Sequence, residues 1–133
     1  MSFYYTHKVK YYECDRMGIT HHSNYIRFME EARVDLLDQV GYGFEKMEAD
    51  GVVSPVVGVE CQYKRSTTFQ DEIAIEVDLV DVTALKFSFA YTGRVADKVV
   101  FTGKSTHCLM EQGRPVQLAQ RYPQLFALKK EDK

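Results

Sequence analysis

The stretch Asn24–Val40, NYIRFMEEARVDLLDQV, places apolar side chains at Tyr25, Phe28, Met29, Ala32, Leu36, Leu37 and Val40. That is the i, i+3, i+4, i+7 spacing of one helix face, with Arg27, Glu30, Glu31, Asp35 and Asp38 left for the other faces. Ser23 is a plausible N-cap, and Gly41 stands where a helix-ending residue with positive φ would. The spacing predicts one long helix and no second.

Outward from it the period changes to two. Val57, Val59, Cys61 and Tyr63 alternate with polar or small residues, as do Ile73, Ile75, Val77 and Leu79. Phe87, Phe89 and Tyr91 follow, then Val99, Phe101, Gly103, Ser105, His107 and Leu109. These read as strands with one face toward a core. The breaks fall at Thr67–Asp71, Asp81–Ala84 and Gly93–Lys98, short enough for antiparallel neighbours. Upstream, Thr6–Asp15 is β-prone and can open the sheet. Downstream, Pro123 can start a short helix through Lys130. The expected fold is α+β, a five-stranded antiparallel sheet curled around one helix. One helix cannot cover such a sheet entirely, so an edge or a face is left for a second chain.

The chain has 133 residues and a mass of 15.4 kDa, one domain over 1–133. Hydrophobic residues at 45% and charged residues at 27% argue against disorder. A net charge of −2 gives no basic excess for nonspecific nucleic-acid binding. No apolar run reaches the roughly 18 residues of a membrane span, and no signal peptide is read. Cys14, Cys61 and Cys108 are too few and scattered for a disulfide framework, and reduced thiols in the cytoplasm are expected. Gly103-Lys104-Ser105 resembles the tail of a phosphate-binding loop, but Lys98 stands where its first glycine should be. There is no GxSxG and no HExxH. Cys14, Asp15, His21 and His22 match no common zinc spacing, so no metal is expected. His7 and His107 read as ordinary strand residues.

Chemistry is left to Asp15–Tyr25, between the first strand and the helix. Gly18 permits a bend, and the chain then enters a helix whose first N–H groups lack intrahelical partners. Such donors suit an oxyanion, so one loop could set a carboxylate beside an oxyanion hole, as acyl transfer requires. An aspartate before a helix is also a common cap or turn former, and spacing alone leaves both readings open.

The string Tyr12-Glu13-Cys14-Asp15, then Gly18-Ile19, His22-Ser23-Asn24-Tyr25, Phe28, Glu30, Ala32 and Arg33 resembles the hotdog-fold acyl-CoA thioesterases, in the 4-hydroxybenzoyl-CoA thioesterase-like branch. Asp15, a glycine three residues on, and an Asn-aromatic pair nine and ten residues on meet its pattern. The resemblance implies an acyl-CoA substrate, no cofactor, and a homodimer or homotetramer with its active site between chains. It implies that Asp15 acts as nucleophile or general base, that the His22 N–H is the oxyanion donor, and that the His22 side chain assists or orients. Asn24 is expected to brace the loop, Tyr25 to pack near the acyl pocket, and Glu30 to make a supporting ion pair with Arg33 or a loop contact rather than take part in chemistry. Gly18, Asn24, Tyr25 and Arg65 are the residues expected on the substrate side. Lys8, Thr20 and Ser66 depart from the branch, and Ser66 bears on the loop toward the coenzyme arm. Lys64 and Arg65 should point to opposite faces by strand alternation, with Arg65 the one expected to meet the coenzyme A phosphates, ahead of Arg94, Lys98 and Lys104. Two readings compete with hydrolysis: a non-catalytic acyl-CoA-binding hotdog module and a hotdog dehydratase. Retained Asp15 and the absence of a DNA-binding extension weigh against the first. A dehydratase would want a different helix motif.

Overall fold

A computed structural model describes residues 2–129. Helix α1 (Ser23–Gln39) buries Tyr25, Phe28, Met29, Ala32, Leu36 and Leu37, six of the seven stripe residues, and Val40 follows half-buried. Full burial of such a side chain contributes about 1.5–3 kcal/mol relative to exposure. The helix ends as its sequence predicts. Gly41 takes φ +85°, its N–H donates to the Asp38 carbonyl at 3.2 Å, and the Tyr42 N–H donates to the Leu37 carbonyl at 2.8 Å. That paired closure needs a residue at ease with positive φ. The start differs from expectation. The cap position falls on His22, and Ser23 is already helical; its Oγ and N–H both turn to His21 Nδ1, at 2.8 and 3.2 Å. A nearby imidazole acceptor has displaced the usual capping bond.

Five strands form the main sheet: β1 (Phe3–Lys8), β3 (Val56–Tyr63), β4 (Glu72–Val82), β5 (Phe87–Val95) and β6 (Lys98–His107), in the order β1-β4-β5-β6-β3. All neighbours are antiparallel. The inner face carries Ile73, Ile75, Val77, Leu79, Phe89, Tyr91 and Phe101, all buried. Gly103 is small for a reason: a Cβ there would run into the Met29 sulfur, so glycine leaves room for the Met29 side chain of α1 against β6. Val95 and Lys98 close a two-residue hairpin through Ala96 and Asp97, both at positive φ (49° and 67°). This is the turn that matches strand twist. The break expected at Gly93 is instead strand, and Gly93 leaves room for the Phe101 ring.

Other expectations need correction. The opening strand ends at Lys8, and Tyr11–Glu13 form a 3-10 turn that exposes Tyr11 and Tyr12. The run predicted to reach Leu109 breaks at Cys108, whose N–H goes to the Pro55 carbonyl. Leu109–Glu111 (β7) then joins Val52–Val53 (β2) and Arg114–Val116 (β8) in a second, three-stranded sheet. Short helices α2 (Phe44–Ala49), α3 (Leu118–Arg121) and α4 (Pro123–Phe126) complete the chain. Pro123 does open the last, which stops at Phe126; Lys130 lies outside the described residues. Strand β3 departs most. Its expected inward residues Val57 and Val59 are half exposed, because β3 is the sheet edge and α1 packs mainly on β1 and β4. Among the described residues no helix is long and apolar enough to cross a membrane.

One polar line crosses the core. Arg33 Nη1 donates to the Tyr91 hydroxyl (3.2 Å), which lies 2.7 Å from Ser105 Oγ, which lies 2.7 Å from His107 Nε2. If each hydroxyl passes its donation onward, His107 accepts at Nε2 and is neutral. Burial, aided by the Arg33 charge, pushes its pKa down to about 4 from the ordinary 6.5. The sign follows. An unfolded chain takes up this proton below about pH 6.5 while the folded chain resists until about pH 4, so stability is lost as pH falls through that window. The loss is on the order of 2–3 kcal/mol. A His107→Gln variant should therefore show a smaller drop in Tm between pH 7 and pH 4.5 than the parent; equal drops would assign acid lability elsewhere.

Candidate active site

The turn at Tyr11–Glu13 leaves Asp15 at the start of a closed loop. Cys14 and Thr20 bridge antiparallel, the Asp15 N–H donates to the Ile19 carbonyl (2.9 Å), and the Gly18 N–H returns to the Asp15 carbonyl (3.0 Å). Gly18 takes φ +80°, which its lack of a side chain allows at no steric cost. Asp15 Oδ1 accepts the Met17 N–H at 2.8 Å, an Asx turn that orients the carboxylate while Oδ2 has no partner among the described residues.

The loop is held from two sides. From the β3–β4 connection, the Thr67 carbonyl accepts the Thr20 N–H (2.8 Å), and Thr68 Oγ1 donates to the Gly18 carbonyl (2.7 Å). Thr67 Oγ1 lies 2.6 Å from Thr20 Oγ1 and 2.9 Å from the Tyr25 hydroxyl. All three side chains are buried, so Thr20, which departs from the branch pattern, has a bonded hydroxyl. From the helix, Asn24 Nδ2 donates to the Glu13 carbonyl at 2.9 Å, and the His21 N–H reaches the same oxygen at 2.8 Å. Asn24 thus joins the helix start to the turn before Asp15.

At the start of α1 the His22 N–H has no acceptor among the described residues. His22 stacks on His21 (4.3 Å between centroids) and meets the edge of Tyr63 (6.2 Å), whose hydroxyl donates to the His22 carbonyl at 3.3 Å. Tyr25 is buried against Phe28, Tyr63 and Phe101, at 5.3–5.6 Å between centroids. Burial pushes the Tyr25 phenol above its usual range, so it is a neutral wall of the site at ordinary pH.

Asp15, His22, Tyr25, Tyr63, Lys64 and Arg65 line one cleft of about 320 Å³. Alternation was expected to separate Lys64 from Arg65, and it does not. Strand β3 ends at Tyr63, and both following N–H groups donate to the single Val100 carbonyl (2.8 and 3.1 Å), which breaks the pleat. Gly18 faces a different, broader groove of about 800 Å³ with Asp15, Tyr11, Arg16 and Phe69. Glu30 is exposed on α1, 3.9 Å from Arg33. Thr67 and Glu13 are the supporting residues that sequence reasoning did not assign. Among the described residues, no three His, Cys, Asp or Glu side chains converge as metal ligands.

The model of the thioesterase-like superfamily matches residues 9–124 of this chain. The chain belongs to that superfamily. A protein of Aquifex aeolicus (strain VF5), provisionally named an esterase, is 32% identical over 118 residues, covering 89% of this chain and 92% of the relative. A protein of Bacillus subtilis (strain 168), YneP, provisionally named an acyl-CoA thioesterase, is 29% identical over 119 residues, covering 87% and 86%. The DHNA-CoA thioesterase of Staphylococcus aureus shares the fold, with a TM-score of 0.86 at 22% identity over 96% of this chain and 87% of its own. The fold is the hotdog fold, a sheet wrapped on one long helix, and the thioesterase is a thioester hydrolase by family.

Proposed function

We propose that this thioesterase hydrolyses acyl-CoA thioesters to a free acid and coenzyme A, with Asp15 as the reacting carboxylate. The observation that carries the reading is the cleft in which Asp15, the helix start at His22 and the paired cations Lys64 and Arg65 converge. The thioester carbonyl lies against the α1 N-terminus, where the unpartnered His22 N–H and the positive helix end stabilise the developing oxyanion. Asp15 either attacks the carbonyl or takes a proton from an attacking water. In the first case an acyl–Asp15 anhydride forms as the C–S bond breaks, and water then cleaves it. In the second, the proton taken by Asp15 passes to the departing thiolate, which is a good leaving group and needs no strong acid. Tyr25 walls the acyl side. Thiol release measured across a panel of acyl-CoAs tests the reading, and no release from any member overturns it.

The anionic end of coenzyme A is held by a local cluster, since the chain as a whole is slightly acidic. Lys64 and Arg65 share the cleft with Asp15, so both sit on the path. Arg65→Ala is expected to raise KM for acyl-CoA several-fold, leave kcat nearly unchanged, and matter less as salt screens the charge. An unchanged KM at low salt would move the phosphate site elsewhere and leave Asp15 untouched.

The thioesterase works as a homodimer or a homotetramer in this reading. Edge strand β3 presents Val56, Val57, Val59 and Tyr63, each about half exposed, beside backbone groups free on one side. A second β3 covers both.

A further inference from the structure

On β1 the inward positions alternate, and one of them is a histidine. His7 is 2% exposed, with its ring stacked on Phe28 at 4.0 Å. Both ring nitrogens are engaged: Nε2 lies 2.8 Å from Glu13 Oε1, and Nδ1 lies 3.0 Å from Glu31 Oε1. The same Glu13 oxygen accepts the Lys10 N–H (2.7 Å), and the same Glu31 oxygen accepts the Tyr5 hydroxyl (2.6 Å). Ionised carboxylates only accept, so both contacts are hydrogen bonds only when the triad carries one proton more than a neutral imidazole and two carboxylates. A buried ionic group seldom stabilises a fold more than a well-packed apolar side chain, because desolvation offsets the attraction.

What the contacts do is locate Glu13. Its side chain is bonded to β1 through His7, while its carbonyl accepts both the His21 N–H (2.8 Å) and Asn24 Nδ2 (2.9 Å) from the helix start. Glu13 is therefore a joint between sheet and helix, and the loop bearing Asp15 hangs from it. A displacement of about 1 Å far from the reacting atoms can cost about 10² in rate.

We propose that His7 is a positioning residue for thioester hydrolysis: by holding Glu13 it sets where Asp15 stands relative to the His22 N–H. The proposal rests on the assignment of Asp15 and His22 above. His7 lies outside the cleft and touches no reacting group.

The test compares His7→Phe, which keeps a flat ring against Phe28 but has no donor, with His7→Gln, which keeps a donor toward Glu13. Steady-state kinetics are run on the best acyl-CoA, with amide hydrogen exchange measured in parallel. His7→Phe should lower kcat by at least about tenfold, leave KM within about twofold, and speed exchange of the His21 amide while Ile75 and Phe89 stay protected. His7→Gln should recover most of both losses. Normal kcat with normal His21 exchange in folded His7→Phe overturns the proposal. So does acceleration of Ile75 and Phe89 to the same degree as His21, which would mean general loosening. If His7→Phe does not fold, Glu13→Ala removes the anchor from its other end and must show the same pattern; normal kcat there overturns the proposal equally. Should the parent protein cleave no acyl-CoA, the hydrolysis reading fails while His21 exchange still decides whether His7 holds the turn.

Discussion

Asp15→Asn is expected to lower kcat for acyl-CoA hydrolysis by at least about 10²-fold with the fold intact. Asparagine keeps an oxygen to accept the Met17 N–H, so the Asx turn and the Gly18 bend survive. What it lacks is the anionic oxygen proposed to attack the carbonyl or take a proton from water. KM should change little, since Lys64, Arg65 and Tyr25 still line the cleft. The loss should therefore appear in kcat, the mark of an interaction made in the transition state. The measurement is thiol release by purified variant and parent, with circular dichroism to show equal folding. Near-normal turnover in the variant would end the case for Asp15.

A native mass of at least twice 15.4 kDa is the second large effect expected, together with loss of both assembly and activity in the double variant Val57→Lys, Val59→Lys. Both valines stand on the edge strand, half exposed, on a sheet whose one long helix packs mainly on β1 and β4. Two lysines on that strand set like charges against each other across any β3–β3 pairing and remove its apolar contact. Light scattering on the parent at micromolar concentration, then on the variant, reads the result. A parent mass near 15.4 kDa would refute the dimer, and a fully active monomeric variant would show that no second chain is needed at the site.

The helix and the strand core were legible because their signals are local. A stripe at 3.6-residue spacing and alternation at two each need only a core on one side, and α1, β4, β5 and β6 supplied it. Gly41 was legible for the same reason, since positive φ after the last helical turn is a property of few residues. Strand β3 alternates as well as its neighbours do, yet its inward side chains lie half open. Alternation marks a face meant for covering, and does not say which chain covers it.

In the site, the string from Asp15 to Tyr25 was enough to name the loop, the bend and the helix entrance, because these are consecutive residues with turn chemistry of their own. The supports were hidden. Thr67 meets Thr20 and Tyr25 across 47 and 42 residues of chain, and His7 meets Glu31 across 24. His7 reads as an ordinary strand residue and Thr67 as part of a break between strands, since a buried polar side chain is recognised only by its partner. Alternation opposes Lys64 to Arg65 only if the strand runs two residues past Tyr63; the shared Val100 carbonyl that ends it belongs to another strand. The sequence alone thus determined the helix, the strand faces and the bend and helix entrance of the Asp15–Tyr25 loop, which depend on neighbours along the chain. Tertiary structure alone decided how that loop is anchored and which cations share its cleft, because those depend on hydrogen bonds between distant segments.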